Sequence, residues 1–136
     1  LLDSIENLGC GIDPAVFFSC SYCSTPARGY FESDSGVNVC YNYNFSKKRV
    51  AETMIHESIH AFDFCRAEMQ GTCPHLACTE IRAANLSGEC HFLPEMTRAR
   101  SFQYRKRHQD CVRERAIASI RHHPACADKA EEVVAE

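Results

Sequence analysis

His56, Glu57 and His60 are the residues whose types and spacing most directly permit chemistry. They stand in the run His56-Glu57-Ser58-Ile59-His60. Residues four apart on an α-helix share a face, so both imidazoles project to one side and can hold one metal ion. Glu57 lies one step round the helix, placed to take a proton from water beside that metal without ligating it. Two neutral histidine nitrogens and a non-ligating carboxylate are the set that zinc-dependent peptide hydrolysis needs: ligands for the ion and a general base for the water. Val50, Met54, Ile55, Ile59, Ala61 and Phe62 surround the motif, which predicts a helix apolar on most faces and running through a core. The alternative is two ordinary core histidines on such a helix.

Two histidines and a water leave one tetrahedral position open, and a catalytic zinc usually has a third protein ligand. Asp63 and Glu80 are the candidates. Asp63 shares a face with both histidines but lies a further turn on from His60. That puts it roughly 10 Å from His56 along a straight helix, so one ion cannot touch both. A place behind His60 suits Asp63 better, accepting the free imidazole N–H and fixing its tautomer. Glu80 sits in a helical run that opens with Pro74, and its neighbours one turn away are Leu76, Ala77, Ala83 and Ala84. A carboxylate on such an apolar stripe needs a positive partner, because burying it alone is very costly. Zinc would be that partner; an ion pair with Arg66 or Arg82 is the alternative. The spacing from His60 to Glu80 is also the one thermolysin-like zincins use for a glutamate ligand on the following helix. The expected site is therefore one catalytic Zn2+ held by His56, His60 and Glu80, with Glu57 as catalytic base.

The elements that must position these residues read as α+β with helices predominant. Residues 29–33 and 37–41 read as two strands joined by Asp34-Ser35-Gly36, a good turn sequence, giving a small N-terminal antiparallel sheet. Residues 1–27 read as mostly irregular, with a short helix at 2–8. Helices follow at about 47–68, 74–87, 95–121 and 123–136. A small sheet ahead of the motif helix is the usual zincin order, in which an edge strand commonly pairs with the extended substrate. The 136 residues suffice for one domain spanning 1–136. The chain opens on an apolar run and stops inside a helical pattern, so both ends read as cuts in a longer protein.

A net charge of −3 argues neither for a nucleic-acid binder nor for a highly charged tail, and no apolar stretch is long enough to span a membrane. Ten cysteines, at 10, 20, 23, 40, 65, 73, 78, 90, 111 and 126, give an even number at a density common in oxidised proteins. Most are expected in disulfides, with at most two free. A structural zinc on Cys10, Cys20, Cys23 and Cys40, or a redox-active Cys20-x-x-Cys23, are the alternatives. Cys73 and Cys126 are candidates to pair with each other.

The segment His56–Asp63 with Cys65-Arg66-Ala67, the segment His75–Cys90, and Cys111-Val112-Arg113-Glu114-Arg115-Ala116 closely resemble the mitochondrial inner-membrane peptidase family that processes and assembles ATP synthase. The N-terminal cysteines are also placed as in that family, whereas Cys73 and Cys126 depart from its pattern. The resemblance implies a zincin-like metalloendopeptidase of the intermembrane space, peripheral on the inner membrane. Its implied substrate is a membrane-sector subunit of ATP synthase, subunit 6 in fungi. A non-catalytic assembly chaperone with a structural metal site is the rival reading. Arg98, Arg100, Arg105, Lys106, Arg107 and His108 form a local basic run, read as a solvated helix face or a contact for anionic lipid or an acidic client. Tyr104 or His108 is a candidate to stabilise an oxyanion. Spacing suggests no partner for His75, His91, His122 or His123.

Overall fold

The computed structural model describes residues 1–10, 13–44, 46–67, 71–91 and 101–135. The chain divides into two compact units, Leu1–Gln70 and Gly71–Glu136.

In the first unit, α1 (Leu2–Asn7) and the short α2 (Pro14–Phe17) precede three strands, β1 (Phe18–Ser21), β2 (Gly29–Glu32) and β3 (Gly36–Cys40), and the long helix α3 (Lys47–Arg66). Asp13 starts α2 by accepting the Ala15 N–H at 2.9 Å, with Pro14 in the first turn, where its missing N–H costs nothing. The sheet order is β1-β3-β2. β2 and β3 form the expected antiparallel hairpin, pairing Gly29 with Val39 and Glu32 with Gly36. Gly36 has φ +79°, and a Cβ there would lie 2.4 Å from the Phe17 carbonyl oxygen, so turn and packing both demand glycine.

The sheet is mixed, correcting the expectation of an antiparallel one: β1 runs parallel to β3, pairing Phe18 with Val37 and Ser21 with Cys40. Phe18-Ser19-Cys20-Ser21 alternates apolar and polar residues over only four positions, with no β-branched side chain to strengthen the pattern. It is extended because β3 offers it a ladder and because Ser19 Oγ donates to Asn38 Oδ1 at 3.0 Å. The core of this unit joins Ile5 of α1, Phe17, Val37 and Val39 to Ala61 of α3, with Val50, Met54 and Phe62 packed on it.

α3 begins at Ser46, whose Oγ accepts the Arg49 N–H at 3.2 Å. Its burial is more one-sided than expected. Ile59 and Ala61 are buried, but Ile55 is 42% and Phe64 47% exposed, so the helix does not run through a core on most of its faces.

The second unit contains α4 (Cys73–Leu86), α5 (Ser101–Ile120) and α6 (Ala130–Ala135), the last preceded by a 3-10 turn at Ala127–Lys129. Ala77, Ile120, Ala130 and Val133 make one apolar cluster; Ala84, Cys90 and Val112 make another. The expected helix over 123–136 is shortened to α6. Pro124 disfavours helical geometry in the residue before it, and Cys126 is tied to Cys73, so the chain turns before helix resumes. The start expected for α5 near 95 lies outside the described residues.

Ten cysteines resolve into four disulfides: Cys10–Cys65, Cys23–Cys40, Cys73–Cys126 and Cys90–Cys111. Cys20 and Cys78 remain as exposed thiols. This overturns the four-cysteine zinc alternative, since Cys10, Cys23 and Cys40 are already bonded. It leaves Cys20-x-x-Cys23 one thiol short of a redox pair. The pairing expected for Cys73 and Cys126 holds, and it anchors the first turn of α4 to the segment after α5.

Candidate metal centre

α3 carries three of the four expected site residues. His56 and His60 stand one turn apart, their ring centroids 5.0 Å from each other and the ring planes at 68°. Their ligand nitrogens lie within 4.8 Å of one another. Two half-buried imidazoles at that separation could both serve as ligands to one metal ion, with the rings turned to the same side of the helix. Ser58, between them, is buried and donates its hydroxyl back to the Met54 carbonyl at 2.7 Å, while Ile59 faces the core.

Glu57 is half-buried and lies against the start of β2. A Cβ at Gly29 would come 3.3 Å from Glu57 Cγ and 2.6 Å from Thr53 Cγ2, so only glycine lets the strand approach the helix this closely. Sequence reasoning missed Gly29 as a site residue. The signal available was a glycine opening a strand, which often marks close backbone approach.

Asp63 is 2% exposed, and Arg66 Nη2 approaches its Oδ1 at 3.7 Å while the Arg66 guanidinium lies over the Phe62 ring at 5.8 Å. Arg66, one of the two arginines considered for Glu80, thus has Asp63 as an ion-pair partner. Glu80 belongs to α4 in the second unit. It is 4% exposed, with Ala77, Ala83 and Ala84 buried beside it, as its apolar neighbourhood in the sequence leads one to expect. A carboxylate buried to that degree stays charged only with strong compensation.

Of the secondary candidates, Arg105, Lys106 and Arg107 are exposed on α5, whereas Arg98, Arg100 and the Tyr104 side chain lie outside the described residues. His108 stacks on His91, with centroids 5.5 Å apart and planes at 26°. That pairing was not legible from spacing, because the two histidines come together only where Cys90–Cys111 ties the segment after α4 to α5. Among the described residues, no helix is long and apolar enough to cross a membrane.

The chain is 39% identical over 138 residues to the mitochondrial inner membrane protease atp23 of Aspergillus niger, covering 98% of this chain and 58% of that relative. It is 42% identical over 123 residues to the mitochondrial inner membrane protease ATP23 homolog of Danio rerio, covering 88% of this chain and 48% of the relative. The human homolog of the same name matches at 41% over 123 residues, covering 88% of this chain and 50% of the relative. The chain thus spans about half the length of the curated relatives it matches. No solved structure matches. The family model matches residues 1–136, the whole of the sequence, and the chain belongs to the peptidase M76 family.

Proposed function

We propose that this chain is the peptidase portion of a zinc-dependent endopeptidase of the HExxH type, with His56, His60 and Glu80 as metal ligands and Glu57 as catalytic base. One observation supports this above the others: α3 presents two half-buried imidazoles to one side with Glu57 next to them. Glu80 is proposed as third ligand on its burial and its apolar flanks. When bound, zinc supplies Lewis acidity that polarises the scissile carbonyl and lowers the pKa of a water to around 7. Glu57 accepts a proton from the attacking water as its oxygen adds to the carbonyl carbon. It then delivers that proton to the leaving amine as the C–N bond breaks. Asp63 helps to hold His60 in the ligating tautomer.

The substrate class is a polypeptide in extended conformation, added to the sheet at the β2 edge. By resemblance, the substrate is a membrane-sector subunit of ATP synthase, and the enzyme works in the intermembrane space, peripheral on the inner membrane. The names of the relatives and the four disulfides, which need an oxidising compartment, support that placement. The test is metal analysis of the purified protein combined with cleavage of peptides drawn from ATP synthase membrane subunits. One equivalent of zinc, and cleavage abolished by chelation and restored by zinc, is the expected result. A protein that assists subunit assembly with Glu57 replaced, and cleaves nothing, would instead be the assembly chaperone.

A further inference from the structure

One side-chain amide joins the sheet to α3. Asn44 Nδ2 donates to the Arg28 carbonyl at 2.6 Å and to the Cys40 carbonyl at 2.8 Å, and its Oδ1 accepts from Thr53 Oγ1 at 2.9 Å. Both amide hydrogens and the oxygen are engaged, so the amide has one satisfactory orientation. Thr53 is 2% exposed and stands one turn before Glu57, on the same face of the helix.

Arg28 leads directly into Gly29, and the helix turn beside Gly29 is the one that carries Thr53 and Glu57. β2 is also an edge strand of the sheet. The Cys40 N–H donates to the Arg28 carbonyl at 2.9 Å, which makes that a hydrogen-bonded pair of the antiparallel ladder. Alternation then turns the N–H and C=O of Gly29 and Phe31 away from β3, toward the edge. The backbone that can pair with an extended peptide, and the carboxylate that must act on that peptide, are therefore held by the same three hydrogen bonds.

We propose that Asn44 and Thr53 are positioning residues for peptide cleavage, their hydrogen bonds fixing the spacing between the Gly29 edge and the Glu57 carboxylate. The proposal rests on the peptidase reading above. Its physical motive is that a displacement of about 1 Å between substrate and catalytic group can cost on the order of 100-fold in rate. Thr53→Val keeps the branched shape against Gly29 but removes the donor to Asn44; Thr53→Ser keeps the donor.

The experiment uses the zinc-loaded protein and one quenched fluorescent peptide that the wild type cleaves. Thr53→Val should lower kcat by about 10- to 100-fold, with folded fraction and zinc content unchanged and KM altered less, and Thr53→Ser should recover most of the loss. A second readout is NMR of the zinc-free protein: the Gly29 and Phe31 amide resonances and the Glu57 carboxylate carbon should shift in Thr53→Val and return in Thr53→Ser. If Thr53→Val does not fold, Asn44→Asp, which removes both amide donors, is read the same way. Wild-type kcat in Thr53→Val while Glu57→Gln is inactive overturns the clamp and leaves the peptidase reading standing. If Glu57→Gln cleaves as well as wild type, or if no peptide is cleaved, the peptidase reading fails. Unshifted Gly29 and Glu57 signals in folded Thr53→Val would then overturn the clamp on their own.

Discussion

Glu57 and the histidines that flank it illustrate what one residue can be asked to do. Glu57→Gln keeps the volume and much of the hydrogen bonding of the side chain but cannot accept a proton from water. It should retain zinc and the fold while peptide cleavage drops below detection, measured by metal analysis, circular dichroism and peptide assay on the same preparation. The ligand set is tested by a pair of variants. On the proposed ligand set, Glu80→Ala would remove a charged ligand outright, whereas Asp63→Ala would remove a group that orients His60 and should cost about 10- to 100-fold in zinc affinity. Competition with a chelator should therefore rank Glu80→Ala well below Asp63→Ala, and the opposite order would make Asp63 the ligand. His56, Glu57, His60 and Glu80 were candidates already in the sequence, singled out by residue type and local spacing. Gly29, Asn44 and Thr53 were not. Their importance lies in a strand and a helix meeting, and no spacing along the chain encodes that contact.

At the scale of elements, legibility followed how much of each element its own sequence specifies. α3 and α4 were read to within about two residues because Pro74 in the first turn of α4 and helical periodicity are local signals. The β2–β3 hairpin was legible for the same reason, through its Asp34-Ser35-Gly36 turn. β1 was invisible, since Ser19, Cys20 and Ser21 become strand only by pairing with β3. The order of elements also assigns a task to Cys10–Cys65, which ties the N-terminal segment to the last turn of α3, beyond His60 and Asp63. With its ends 55 positions apart in sequence, chain entropy predicts that the bond contributes about 4 kcal/mol, less any relaxation. The Cys10→Ser/Cys65→Ser variant should lose about 2–4 kcal/mol in urea unfolding. Its zinc affinity should fall too, because the helix end that carries Asp63 loses its anchor. An unchanged unfolding midpoint would show that the core around Ile5 and Ala61 holds α3 unaided.

For the whole molecule, oxidation state bears on stability, since the apolar clusters of each unit are small and disulfides reinforce both units. Each disulfide closes within one unit: Cys10–Cys65 and Cys23–Cys40 in the first, Cys73–Cys126 and Cys90–Cys111 in the second. That the chain would be oxidised was legible from the number of cysteines; apart from Cys73 and Cys126, which cysteine meets which was not, because pairing depends on the fold. The pattern can be checked without a structure. Cyanogen bromide cleaves after methionine, and the chain has three, Met54, Met69 and Met96. Cleavage of denatured, unreduced protein with its two thiols blocked gives peptides 1–54, 55–69, 70–96 and 97–136. Cys10–Cys65 rejoins the first two, and Cys73–Cys126 and Cys90–Cys111 rejoin the last two. Two covalent products, 1–69 and 70–136, are therefore expected by mass spectrometry before reduction, and four peptides after it. Blocked cysteine should be found only at Cys20 and Cys78. A single product of full mass before reduction would mean that a disulfide joins residues 1–69 to 70–136, and the assigned pairing would be wrong.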